Sequence, residues 1–129
     1  MLKLKRLHHI AIICDDYQRS KKFYTEVIGF EVIQEVYREV RDSWKLDLAF
    51  QGEYLIELFS FPNTPERPSY PEARGLRHLC FAVENIEEAI QQLNEKGVET
   101  GEIMIDPHTN KRFVFFEDPD QLPLELYEL

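Results

Sequence analysis

Apolar and polar positions alternate along this chain in one order, and that order then recurs. Leu7 to Cys14 (LHHIAIIC) is a β-branched apolar run of the kind that predicts a strand. Asp15-Asp16 follow, with carboxylates able to cap a helix. Apolar residues at Tyr17, Phe23, Tyr24, Val27 and Ile28 then predict a helix that stops at Gly29. Three strands are predicted next, at about 30–37, 45–51 and 53–60, the last (EYLIELFS) being the clearest. Residues 38–44 (REVRDSW) carry too much charge for a buried strand.

The second pass begins after Arg74 with a strand-like Leu76 to Val83 (LRHLCFAV). A helix is predicted over Ile86 to Lys96, with Asn85 as N-cap, Glu88 three residues on, a stripe of Ile86, Ala89, Ile90 and Leu93, and Lys96-Gly97 as the stop. Strands near 101–105, 111–117 and 122–128 complete it. Ser60 to Gly75 holds Pro62, Pro65, Pro68 and Pro71, which forbid a regular helix or central strand there. The expectation is an α+β chain of two βαβββ modules, about 1–60 and 75–129, joined by a connector over 61–74 within one domain spanning 1–129.

Spacing strengthens the repeat. His9 precedes His78 by 69 residues and Glu57 precedes Glu125 by 68. Each histidine falls in the first predicted strand of its module and each glutamate in the last.

At 129 residues there is no room for a second domain of ordinary size. A hydrophobic fraction of 43% suffices for a core. The formal net charge of -9 repels phosphate backbones and anionic lipid heads, which argues against nucleic-acid or membrane-surface partners. No apolar run reaches the roughly 18 residues of a membrane span, and the Met1 to Arg6 segment lacks a signal-peptide core, so a cytoplasmic location is expected. Cys14 and Cys80 sit in apolar strand-like runs and read as small buried hydrophobes rather than a disulfide.

Composition alone names no chemistry, but four positions do. Glu57 lies within Tyr54-Leu55-Ile56-Glu57-Leu58-Phe59 and Glu125 within Leu122-Pro123-Leu124-Glu125-Leu126-Tyr127, with apolar residues on both sides of each carboxylate. An ionised carboxylate buried without a partner costs several kcal/mol or more, so a repeated glutamate of this kind implies a cation, a metal or a raised pKa. His9 alternates with Ala11 and Ile13, and His78 with Cys80 and Ala82. Two imidazoles and two carboxylates suit one divalent metal, whether zinc, nickel, cobalt, iron or manganese.

His9 through Phe30 (HIAIICDDYQRSKKFYTEVIGF), Arg77-His78, Asp118-Pro119-Asp120 and the closing LEL around Glu125 resemble the glyoxalase I branch of the vicinal oxygen chelate superfamily. The resemblance implies βαβββ modules that curl around a metal, with His9, Glu57, His78 and Glu125 as ligands, and a homodimer. It further implies a lyase or isomerase acting on a small α-oxo or thiol-hemithioacetal substrate. In that chemistry a divalent cation stabilises an enolate or ene-diolate, and Glu57 or Glu125 is the catalytic base. Relatives that bind glutathione tend to carry an arginine four residues after the first histidine and an asparagine four after the first glutamate. Here Ile13 and Phe61 stand there, while Arg74 matches an arginine expected four residues before the second histidine. The turn reads DPDQ where the family usually has DPDG.

Arg38, Arg74 and Arg112 are the candidate substrate contacts, with Arg41, Tyr37, Trp44 and Lys111 nearby in sequence; His8 and His108 read as surface residues. Other chemistries on the same fold would keep the metal set: an iron dioxygenase, an epimerase or a thiol transferase. A non-catalytic small-molecule-binding or resistance module is the alternative from a different class.

Overall fold

Glu53 to Ser60 forms the strand its alternation predicts, with Ile56 and Leu58 fully buried and Glu57 between them on the opposite face. In this computed structural model, which describes residues 1–129, the chain divides into two compact units, Met1–Pro65 and Glu66–Leu129, parting between two prolines of the connector.

The first unit runs β1 (Ile10–Cys14), α1 (Tyr17–Lys22), β2 (Glu31–Arg38), β3 (Ser43–Phe50) and β4 (Glu53–Ser60). Its sheet is ordered β1-β4-β3-β2, so β4 lies between a parallel β1 and an antiparallel β3. Asp16 caps α1 by accepting from the Arg19 amide at 3.0 Å. Past Lys22 the helix widens into one π turn, where the Ile28 amide reaches back to the Phe23 carbonyl. That turn buries Phe23 and Tyr24, and Gly29 ends it at φ 92°.

β2 is the outer strand, exposed along nearly its whole length, with a register shift between Val32 and Gln34. Tyr17 and Lys21 of α1 both reach its Glu35 carboxylate, Lys21 at 2.6 Å, and hold it well below the usual carboxylate range, Lys21 being the larger cause. The charged segment 38–44 resolves into a single 3-10 turn at Glu39–Arg41, after which β3 starts two residues earlier than its pattern suggests. There Ser43 is buried, hydrogen-bonded to Arg38, and the Trp44 amide is taken up by Ser60.

The second unit repeats the order with β5 (Leu79–Val83), α2 (Ile86–Glu95), β6 (Met104–Ile105), β7 (Arg112–Glu117) and β8 (Pro123–Glu128) in a sheet β5-β8-β7-β6. Asn85 Oδ1 caps the Glu88 amide at 2.9 Å, and Glu128 takes the free Ile86 amide at 2.9 Å. Ile86 and Leu93 face the core with Val114, Phe116 and Leu124. β6 is only two residues long, because Asp106 turns the chain through a loop closed by its amide on the Lys111 carbonyl at 2.8 Å. Both units therefore have the βαβββ order expected of an α+β chain. No helix is long and apolar enough to cross a membrane.

Two sequence expectations need correction. β1 and β5 begin at Ile10 and Leu79, so His9 and His78 each stand one residue ahead of the strand rather than within it. Cys14 is buried as expected, but Cys80 is exposed, because it shares the open face of β5 with Ala82.

Candidate functional site

Glu57 and Glu125 occupy matching places at the centre of their sheets. Glu57 is in register with Ala11 of β1 and Asp47 of β3, and Glu125 with Cys80 of β5 and Phe115 of β7. The core-facing side of each strand is filled by leucine and isoleucine, which turns both carboxylates to the other face, 16% and 12% exposed.

The histidine just ahead of the parallel neighbour reaches across in each unit. His78 Nε2 lies 2.8 Å from Glu125 Oε2, and His9 Nε2 lies 3.8 Å from Glu57 Oε1. Each pair thus brings one imidazole nitrogen close to one carboxylate oxygen. Donors bound to one divalent cation at about 2.1 Å sit roughly 3.0–3.4 Å apart, and the two observed separations bracket that range. The donor chemistry and spacing fit half of a metal site in each unit. No group of three or more His, Cys, Asp or Glu side chains is gathered around one point.

The surroundings of the two pairs differ. In the first unit Asp47, almost fully buried, accepts from Lys45 Nζ at 2.7 and 2.9 Å and from the Tyr54 hydroxyl at 2.7 Å. The same hydroxyl is 3.0 Å and the same ammonium 3.5 Å from Glu57 Oε2. Burial, then the hydrogen bonds to Asp47 and Glu57, push the Tyr54 phenol far above its ordinary range. Burial works against the Lys45 ammonium, but the hydrogen bonds and charges of Asp47 and Glu57 together outweigh it and the pKa is raised. His8 turns its Nδ1 to that of His9 at 2.7 Å.

In the second unit the corresponding places are apolar. Phe113 and Phe115 stand where the first unit has Lys45 and Asp47, and the His78 ring meets Phe115 edge-on at 5.2 Å. His78 Nδ1 is buried with no hydrogen-bond partner. The Cys80 thiol lies against Glu125; burial, then that negative charge and hydrogen bond, push its pKa up to about 11. A cavity of about 80 Å³ opens beside His78, walled in part by Arg67, Tyr70, Arg77 and Phe115. Arg67 braces it by donating to the Leu76 and Arg77 carbonyls at 2.6 and 3.1 Å.

The three arginines singled out in the sequence fare differently. Arg112 forks onto Glu128 at 2.7 and 2.9 Å and onto Glu87, which ties the N-terminus of α2 to the end of β8 and leaves it no free fork for a substrate. Arg38 lies over the Phe59 and Phe61 rings at 4.9 and 5.7 Å and donates to Ser43 at 3.0 Å. Arg41 also lies over the Phe61 ring, at 5.1 Å. Arg74 is exposed in the turn before Gly75. Lys45, Asp47 and Tyr54 escaped sequence reading. The signal was present as an i, i+2 charge pair in an otherwise apolar strand and a tyrosine three residues before the glutamate.

A family model described as "Glyoxalase/Bleomycin resistance protein/Dioxygenase superfamily" matches residues 6–126. The Bacillus subtilis "Uncharacterized protein YwkD" is 64% identical over 125 residues, covering 97% of this chain and 98% of that protein. A crystal structure of a glyoxalase family protein from Enterococcus faecalis superposes with TM-score 0.90 at 52% identity, covering 96% of this chain and 98% of that one. The lactoylglutathione lyase of Salmonella typhimurium is 31% identical over 133 residues, or 95% of this chain and 92% of the enzyme.

Proposed function

From the premise that this chain belongs to the glyoxalase/bleomycin resistance protein/dioxygenase superfamily, we propose that it is a metal-dependent, glyoxalase I-like lyase. Its substrate would be a small α-oxo compound or the hemithioacetal such a compound forms with a thiol. The observation that carries the reading is the His–Glu pair built twice, with Nε2 to carboxylate separations of 2.8 and 3.8 Å at matching sheet positions. A likeness to lactoylglutathione lyase over 95% of the chain supports it.

In this reading His9, Glu57, His78 and Glu125 are metal ligands, and each pair, His9–Glu57 and His78–Glu125, supplies half of the donor set for a divalent metal. The bound cation would act as a Lewis acid that favours negative charge on neighbouring substrate oxygens. The chain's own part is to bind, orient and move a proton. A carboxylate oxygen of Glu125 or Glu57 takes the proton from the hydroxyl-bearing carbon next to the carbonyl and returns it to the former carbonyl carbon, while the hydroxyl proton passes to the former carbonyl oxygen, so one carbon is oxidised as its neighbour is reduced. A positioned carboxylate contributes roughly 10²–10⁴-fold to such a transfer. Phe115 packs edge-on against His78 and limits how far that ring can turn.

The thiol need not be glutathione. Ile13 is an exposed apolar side chain, and Phe61 lies under Arg38 and Arg41, so neither place offers the polar contact that a glutathione site would use. Arg74 is the arginine left open to an anionic substrate group. The proposal includes a homodimer in the cytoplasm, in which a second copy could supply the complementary half of the donor set.

Metal content of purified wild type beside Glu57→Gln and His78→Ala, followed by a methylglyoxal-plus-thiol assay on each metal form, tests the reading. One metal per chain, lost in the variants and accompanied by turnover, supports it. Metal without turnover discards this substrate class, and no metal under any loading condition discards the site.

A further inference from the structure

The two glutamates stand at equivalent backbone positions but in opposite electrostatic settings, and the difference lies in three residues outside the His–Glu pairs. Lys45, Asp47 and Tyr54 crowd the Oε2 side of Glu57, at 3.5 Å for the ammonium and 3.0 Å for the phenol, while Oε1 alone faces His9. Asp47 anchors this group. Its buried carboxylate takes two contacts from Lys45 and one from Tyr54, and the single phenolic proton is shared between Asp47 at 2.7 Å and Glu57 at 3.0 Å. With that anchor the two donors cannot follow Glu57 if it turns, so the carboxylate is held by one oxygen.

Glu125 is held differently. The positions that answer to Lys45, Asp47 and Tyr54 are Phe113, Phe115 and Pro123. Its neighbours are the His78 ring at 2.8 Å, the Cys80 thiol and an aromatic face.

We infer that Lys45, Asp47 and Tyr54 are a positioning set that holds Glu57 by Oε2 and leaves Oε1 for the metal. The inference rests on the metal reading above and goes beyond it by naming the groups that orient one of its ligands. Groups that orient a ligand from behind typically change metal affinity by about 10–100-fold when removed.

The test uses cobalt(II) as the probe, because its visible d–d absorption weakens as coordination number rises. Wild type, Tyr54→Phe, Lys45→Met and Lys45→Arg are titrated with cobalt. Affinity and absorption are recorded first, then kcat and KM. Tyr54→Phe and Lys45→Met are expected to bind cobalt about tenfold or more weakly, with a fainter visible band as Glu57 swings to two-oxygen binding. Lys45→Arg should recover most of both. Glu57→Gln should lose cobalt. If Lys45→Met fails to fold, the near-isosteric Tyr54→Phe carries the comparison. Wild-type affinity and band shape in Tyr54→Phe overturn the positioning role. Failure of wild type to bind cobalt at all overturns the underlying metal reading instead.

Discussion

Asp118 and Leu122 hold each other at both ends of one turn: the Asp118 amide donates to the Leu122 carbonyl at 3.0 Å, and the Leu122 amide to Asp118 Oδ1 at 2.8 Å. The same Oδ1 takes the Asp120 amide at 2.9 Å. This buried aspartate sets where β8 begins, two residues before Glu125. Asp118→Ala leaves two amides without their acceptor, so a loss of about 1–3 kcal/mol is expected in urea denaturation. Gln121 sits in the same turn at φ 66°, the left-handed region in which the family's glycine is favoured. The turn therefore keeps glycine-like geometry without glycine, and Gln121→Gly should leave stability within about 1 kcal/mol of wild type.

Arg112 gives the second unit an acid-sensitive clamp. Its bonds hold Glu128 and Glu87 below the usual carboxylate range, with the Ile86 amide adding to the effect on Glu128. A carboxylate with a depressed pKa in the folded state contributes stability above its unfolded pKa and loses it as the pH falls through the folded value. Arg112→Met should thus be less stable than wild type at neutral pH. The gap should close as the pH drops below about 4. Urea melts over a pH series check this, and a gap independent of pH would contradict it.

Cys80 is exposed yet should be a sluggish nucleophile. A thiol raised to about 11 carries little thiolate at pH 8, so alkylation by iodoacetamide should run well below the rate of a free cysteine. Glu125→Gln removes the nearby charge and should speed it. Cys14 is buried, so mass spectrometry of the labelled protein reads Cys80 alone.

Leu124 is fully buried, in register with Leu79 and Phe116, and it fixes the strand that carries Glu125. Leu124→Ala should cost about 2–5 kcal/mol. Guanidinium denaturation followed by far-UV circular dichroism measures it.

What the sequence disclosed and what it hid follow from the range of the interactions. α2 was legible almost to the residue because Asn85, the Ile86–Leu93 stripe and Gly97 act within the helix itself. β4 was legible because its alternation is strong. The start of β1 was misplaced because Leu7, His8 and His9 look like strand but pairing with β4 begins only at Ile10 opposite Ile56. The His–Glu pairs could be suspected from a repeated spacing, which survives as one-dimensional information. The group behind Glu57 could not, since Lys45 and Asp47 meet Glu57 only through the β3–β4 register. The clamp of Arg112 on Glu87 and Glu128 spans 25 and 16 residues and leaves no local trace.

The register shift in β2 governs how copies of this protein behave when crowded. An outer strand with Val32, Ile33 and Val36 exposed is the kind of edge on which fibrils grow, each new chain adding its backbone to the last. Growth of that sort requires a flat, regular ladder. The irregularity between Val32 and Gln34 bends the edge out of plane, and Glu31, Glu35 and Arg38 interrupt its apolar run with charge. A single extra residue in the ladder thereby guards the chain against fibrous self-association.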